Sequence, residues 1–249
     1  MRKTSMAIVF AALAAVSLTN IAWAGPFEDF KTQVNATASQ GMDAFAADVG
    51  GLLGGTDFSS GRTVGFPGFD VGLAGMVQTK PGSGNIILKN ADVDAFGIML
   101  GQASVGIPVV GADVALRGIS YSGFSIVGFG ARYPVFKSGT LTMFIPDVAV
   151  SAYYDLINYT YFSGSHISFD ASASFNIPII KPFVGVGYDK TSLEVKGVSA
   201  LVNGIEGKSS KTRLTVGAKL IPFPFLYVYG AYTLLHGNTG MNFGLGARF

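Results

Sequence analysis

His166, Ser168 and Asp170 are the side chains a hydrolase would need: a base, a nucleophile and an orienting carboxylate, two residues apart. On a β-strand that spacing puts all three on one face, with neighbours roughly 6.5–7 Å apart. A direct relay needs contact at roughly 2.6–3.2 Å, so the trio is too spread for a triad. His236, in a tight loop, is the only other histidine, and there is no cysteine. That rules out disulfides and leaves no transition-metal ligand set. The glycine-rich repeats lack the Lys-Ser/Thr ending and strand–turn–helix context of a phosphate loop. Catalysis, bound metal and cofactors are therefore not expected.

A second set of side chains carries charge at alternating positions. It comprises Asp70, Asp113, Arg117, Arg132, Asp147, Asp155, Asp170, Asp189, Lys211, Arg213, Lys219 and Arg248. If these face the inside of a tube, two chemistries fit. One is a charged constriction that selects solutes by field and width. The other is an ion-pair network filling a narrow core, because buried charges need partners. A narrow lumen favours the network. Arg132, Lys219 and Arg248 would ring one rim, where they either attract anions or pair with neighbouring Asp residues.

The elements that position these side chains follow from a two-residue rhythm. Met241, Phe243, Leu245, Ala247 and Phe249 share one face, opposite Gly240, Asn242, Gly244, Gly246 and Arg248. Gly128-Phe129-Gly130-Ala131-Arg132-Tyr133 mirrors Gly244 to Phe249, and Gly217-Ala218-Lys219-Leu220 is a third copy. Four segments run into proline, at Pro108, Pro134, Pro178 and Pro222. Proline cannot donate to a sheet ladder, so it marks strand ends. The spacing predicts descending strands 97–107, 123–133, 165–176, 210–220 and 239–249. Their ascending partners are 66–78, 111–120, 147–157, 182–193 and 224–234. The fold class is all-β: a closed antiparallel transmembrane β-barrel of ten strands, with eight and twelve as the other even counts. A one-residue slip would place Arg213 and Lys219 in lipid at roughly 2–4 kcal/mol each at the midplane, so the register is strongly determined. Val216 should face lipid and Thr215 the lumen, and arginine should be far worse at 216.

Composition agrees. Charged residues are 13% of the 249, against roughly a quarter in soluble domains, and mean hydropathy is +0.44. No mature segment is long and apolar enough for a spanning helix, which takes roughly 20 residues. A secreted β-sandwich would also alternate, but with more charge on its outer face. A net charge of +2 and the lack of a basic, aromatic-interleaved run give no indication of nucleic acid.

The start of the chain reads as a secretory signal peptide, 1–24. Arg2 and Lys3 precede an apolar core, and Ala22-Trp23-Ala24 is a small-x-small site before Gly25. An N-terminal segment, 25–61, follows. Within it 27–53 has helical spacing through Phe27, Phe30, Val34, Phe45, Val49 and Leu52, with Gly50-Gly51 and Gly54-Gly55 ending the pattern. This helix is expected at the periplasmic mouth or on the membrane surface, not as a full plug. The barrel itself is 62–249.

The repeats, the terminal Phe249 and the signal peptide resemble those of bacterial outer-membrane β-barrels. That resemblance implies outer-membrane lipid as surroundings and recognition of the Phe249 strand by the barrel assembly machinery. Short turns after the prolines and long loops at 79–96 and 194–209 imply periplasmic chain ends, both termini included. The pair His166-x-Ser168 resembles that of the outer-membrane lipid A deacylases, whose downstream Glu is replaced here by Ile180. Phe66-Pro67-Gly68-Phe69-Asp70-Val71-Gly72 and Ala112-Asp113-Val114-Ala115-Leu116-Arg117-Gly118 are similar to stretches of the fatty-acid and hydrocarbon transporter group. Members of that group are larger barrels that carry apolar ligands through a lateral opening. The expected function is binding or passage of small molecules, apolar ones among them. The alternative is a non-conducting structural or surface-interaction barrel that uses its loops.

Overall fold

The computed structural model describes residues 29–37, 40–139 and 144–249. The expected signal peptide, 1–24, lies outside these residues. Ten antiparallel strands close into one barrel in which every strand pairs with its sequence neighbours and β1 pairs with β10. They are β1 (Phe69–Gln78), β2 (Phe96–Gly106), β3 (Asp113–Tyr121), β4 (Phe124–Phe136), β5 (Asp147–Asn158), β6 (Phe162–Ser174), β7 (Ile180–Val195), β8 (Glu206–Phe223), β9 (Leu226–Leu235) and β10 (Asn238–Arg248). The closing seam pairs Asp70 with Arg248 and Gln78 with Gly240. Phe69 and Phe249 exchange backbone hydrogen bonds at 2.8 and 2.9 Å, and their rings stack at 4.8 Å.

Alternation does what the strand period requires. Val71, Leu73, Leu116, Phe129, Val150, Phe169, Val186, Val216 and Leu245 project outward and are exposed, whereas Asp155, Asp170, Asp189 and Arg213 are buried inside. Two connections at one end are two-residue turns, Ser122-Gly123 and His236-Gly237, with both residues at positive φ. That geometry matches the twist of the flanking strands. The long connections 79–95 and 196–205 lie at the same end, here called the loop end. The other, C-terminal end carries Phe249 and the proline turns. Pro134, Pro182 and Pro222 do not stop their strands. Pro134 pairs with Ala149 just before a bulge, and Pro222 lies within β8.

The N-terminal segment departs from expectation. It forms two helices, α1 (Phe30–Thr37) and α2 (Met42–Gly54), with Gly41 at φ 88° ahead of the second. A third short helix, α3 (Ile86–Asn90), sits in the β1–β2 connection. α1 lies at the loop end, where Lys31 stands over Tyr161 and Gln33 donates to Asn90 O. α2 then descends inside the barrel against β7 and β8. The expected site at the periplasmic mouth or membrane surface is therefore corrected: this segment is a plug.

Two of the glycines expected to end the helix are what let it fit. A Cβ on Gly50 would stand 2.1 Å from Thr191 Oγ1, and one on Gly54 would stand 2.3 Å from Asp189 Oδ1 and 2.6 Å from Arg213 Nε. Residues 55–64 continue to the C-terminal end, where Ser60 meets Ser174 and the Val64 amide donates to Asp113. The first described residues and Phe249 thus lie at opposite ends of the barrel. The chain's N-terminal end itself, expected on the same side as Phe249, lies outside the described residues.

Gly54→Leu is expected to expel α2, because Asp189 is held by Arg213 and His236 and cannot yield. Limited proteolysis of the reconstituted barrel should then cut within 42–61, which the parent protects. Gly230→Ala, where an added Cβ meets nothing within 4 Å, should keep that protection.

Candidate functional site

The lumen is organised in layers along its axis. At its middle, β3 and β8 each send in an arginine that meets the plug. Arg117 donates from Nη1 to Asp57 at 2.5 Å, and from Nε and Nη2 to Asp155 on β5 at 2.8 and 2.6 Å. Its guanidinium lies 4.3 Å from the centre of the Tyr153 ring. Arg213 donates to Asp57 Oδ2 at 2.6 Å, to Asp189 on β7 at 3.1 Å, and closely to Asp170 on β6. The side chains of Asp57, Arg117, Asp155, Asp170 and Arg213 are 0% exposed. One plug carboxylate therefore joins two arginines from opposite parts of the wall. Such a buried pair is costly to break, at about 3–5 kcal/mol when one partner is removed.

Towards the loop end, His236 turns one ring nitrogen to Ala47 O at 2.9 Å and the other to Asp189 at 3.0 Å. Asp48 on α2 accepts from Gln78 Nε2, the Gly82 amide and Asn85 Nδ2. Above this layer an apolar cluster joins the helices to the wall. The Phe30 ring lies tilted against those of Phe45 and Phe162, each 5.0 Å away, and Leu53, Ile87, Leu88 and Leu100 are buried with them. Lys211 opens onto a cavity of about 1110 Å³ at the loop end, shared with Lys80, Lys208, Asp43 and Asp92.

Towards the C-terminal end the pairs are less deeply buried. Arg132 donates to Asp113 at 2.8 Å, and Arg248 Nε donates to Asp70 at 2.8 Å, with Tyr227 also donating to Asp70 at 2.7 Å. Asp147 accepts from Ser138 and lies 3.5 Å from Arg62. Lys219 stands over Tyr227 with no ion-pair partner among the described residues.

All twelve charged positions singled out from the sequence point into the barrel. The structure joins Arg117, Asp155, Asp170, Asp189 and Arg213 in one network and splits Asp70, Arg248, Arg132 and Asp113 into local pairs. His166, Ser168 and Asp170 do not act as a unit: His166 Nδ1 meets Thr191 Oγ1 at 2.9 Å, and Asp170 binds Arg213. Asp57 and Asp48 were missed, and Tyr153 was read as inward-facing but not as a partner of Arg117. Asp57 lies in a stretch with neither period two nor helical spacing, so no local signal marks it.

A closed antiparallel wall, apolar outside and ionic inside, defines a bacterial outer-membrane β-barrel, here filled by its own N-terminal segment. No protein-family model and no curated protein matches the chain. Solved structures similar to it include the COG4313 outer membrane channel from Pseudomonas putida F1, at 11% identity and TM-score 0.43 over 78% of this chain and all of that one. The N-terminal β-barrel domain of Pseudomonas aeruginosa OprF matches at 15% identity and TM-score 0.35, over 73% of this chain and 97% of that one. The translocator domain of the autotransporter NalP from Neisseria meningitidis matches at 13% identity and TM-score 0.36, over 91% of this chain and all of that one.

Proposed function

We propose that this barrel takes up small apolar molecules sideways from the membrane, between β2 and β3, and does not pass solutes along its axis. The observation that carries this reading is a split in the wall. The β2–β3 ladder has six pairs, from Gly106 with Asp113 up to Gly101 with Gly118. Above it, Phe96 to Leu100 pair only with β1, and Ile119 to Tyr121 only with β4. Five steps at about 3.4 Å, tilted about 40°, rise roughly 13 Å, about half of an apolar band roughly 25 Å tall. Irregular backbone at membrane depth is tolerated where it lines protein or a cavity. The side chains behind the split are apolar: Ile98, Leu100, Ile119 and Phe124 pack on the cluster beneath α1 and α2. The axis, in contrast, is closed by the fully buried Asp57 network.

In this reading the loop end faces outside the cell and the C-terminal end the periplasm. β10 with Phe249 is the strand the assembly machinery engages, and the protein binds rather than transforms its ligand. A surface-interaction role is favoured instead by the loop-end cavity, whose lysines and aspartates suit a polar partner.

A reversible clamp tests the split. Continuing the β2–β3 register brings Met99 opposite Ser120. In a chain with no other cysteine, Met99→Cys with Ser120→Cys can be oxidised to close the gap. Binding of a fluorescent fatty-acid probe in proteoliposomes is expected to fall at least five-fold on oxidation and to return on reduction. Equal binding in both states would discard the lateral route.

A further inference from the structure

We propose that the C-terminal end of the lumen holds a binding site for an oxyanion, a phosphate or carboxylate group, built around Lys219. The site is separate from the β2–β3 split and does not depend on it.

Three of the cations near this end have their charge answered or partly answered. Arg132 pairs with Asp113, Arg248 with Asp70, and Arg62 lies 3.5 Å from Asp147. Lys219 differs. It is only 4% exposed, and among the described residues its ammonium makes no ion pair and no hydrogen bond, the Asp70 carboxylate acting on it only at longer range. Its neighbours are two ring faces, Tyr227 at 4.1 Å and Tyr229 at 5.9 Å from the ring centroids. Cation–π contact offsets part of the desolvation of an ammonium, but leaves its three N–H groups without acceptors. An ammonium in that condition is stabilised when an opposite charge meets it.

The space beside Lys219 fits such a partner. A cavity of about 140 Å³ is lined by Lys219, Arg62, Lys181 and Arg248, with Asp147 as the one carboxylate. Lys181 donates to Asn176 at 2.7 Å, which orients its ammonium without neutralising it. With Asp70 bound to Arg248 and Asp147 beside Arg62, Lys181 and Lys219 leave a local charge of +2, and Ser60 and Ser174 add hydroxyls to the lining. The hydroxyls and cations can meet the oxygens of a phosphate or carboxylate from several sides.

The rim offers a lipid head group a way in. Phe225 and Leu226 line the same cavity and are 59% and 50% exposed on the outside of the barrel. An acyl chain can lie along them while its head group reaches Lys219. The same oxygens could also come from a free anion, and the experiment separates the two.

The full chain is purified into nanodiscs of phosphatidylcholine containing phosphatidylglycerol, and lipid retention is read by native mass spectrometry after detergent release. The parent should retain one phosphatidylglycerol with at least ten-fold preference over phosphatidylcholine. Lys219→Met should reduce that preference below three-fold while heat-modifiable gel migration stays the same. If Lys219→Met does not fold, Arg62→Gln with Lys181→Gln, both nearer the rim, should lower retention about five-fold. Inorganic phosphate is titrated in parallel and followed by ³¹P line broadening. Broadening that Lys219→Met (or the double variant) abolishes, with no lipid preference, assigns the site to a free anion. No retained anionic lipid and no phosphate binding, or binding that neither variant changes, would overturn the site.

Discussion

Replacing Asp57 with alanine is expected to open the barrel. In the parent, planar bilayers should show no steady current, because the arginines, the plug and the wall carboxylates leave no solvent-exposed side chain at mid-lumen. Asp57 accepts from Arg117 at 2.5 Å and from Arg213 at 2.6 Å, and all three side chains are 0% exposed. Truncating it strands two guanidiniums whose remaining carboxylates all belong to the wall, at a cost of about 3–5 kcal/mol. The remaining ties of residues 55–61 to the wall are hydrogen bonds at Gly55, Thr56, Ser60 and Gly61 and the packing of Phe58 on Phe183, none of them an ion pair among the described residues. The plug should leave its seat for part of the time, giving intermittent conductance and proteolytic cuts between Met42 and Arg62. Asp57→Glu, which keeps the charge, should restore most of the closure. Parent-like silence and protection in Asp57→Ala would mean that the apolar cluster around Phe30, Phe45 and Phe162 holds the plug by itself.

The second large effect is on insertion. Val216 is 55% exposed on the outer face of β8, between Val184 on β7 and Tyr232 on β9. An arginine at this depth faces hydrocarbon and costs roughly 2–4 kcal/mol. Val216→Arg should therefore abolish most heat-modifiable, membrane-extracted barrel, whereas Val216→Leu should leave its yield near that of the parent. Equal yields of the two would place the side chain inside. Alternation alone suggested that arginine at Thr215 would be far milder than at Val216, and the filled lumen narrows that difference. Thr215 is 1% exposed with its hydroxyl 3.1 Å from Thr233 Oγ1, so a large side chain there must overpack, at about 1–3 kcal/mol. Thr215→Arg is thus expected to hurt as well, by crowding instead of by charge in lipid.

The wall was legible because its determinants are local. In β5, Asp147, Ser151, Tyr153 and Asp155 alternate with Val148, Val150, Ala152 and Tyr154, and lipid tolerates only one of those two sets. Each strand so reports its own faces, and the observed β5 runs Asp147–Asn158, where 147–157 was expected. The repeated endings near Arg132, Lys219 and Arg248 gave the count, because equivalent strands meet equivalent surroundings at one membrane surface. The prolines were weaker guides: a strand can carry proline where its amide faces no ladder partner, as β4 and β8 do.

What lies inside the wall is a different matter. Helical spacing in 27–53 required that one face be buried, but did not say against what. Lipid, the barrel mouth and the lumen all satisfy an apolar stripe. The small face at Gly50 and Gly54 acquires its meaning only opposite Thr191, Asp189 and Arg213, which lie more than a hundred residues away. The inward charges were visible one by one, yet their partners depend on curvature, stagger and the plug. Asp57 is therefore invisible as a residue joining Arg117 to Arg213 until the barrel has closed around it. The early end of the β2–β3 ladder is likewise a property of two neighbours, not of either strand. Alone, the sequence determined an even-stranded membrane wall of about ten strands and the faces of its strands, since a side chain's exposure to hydrocarbon is settled by local parity. Only the tertiary structure decided that the lumen is filled, how its charges are answered and where the wall parts, since each of these joins residues distant in the chain.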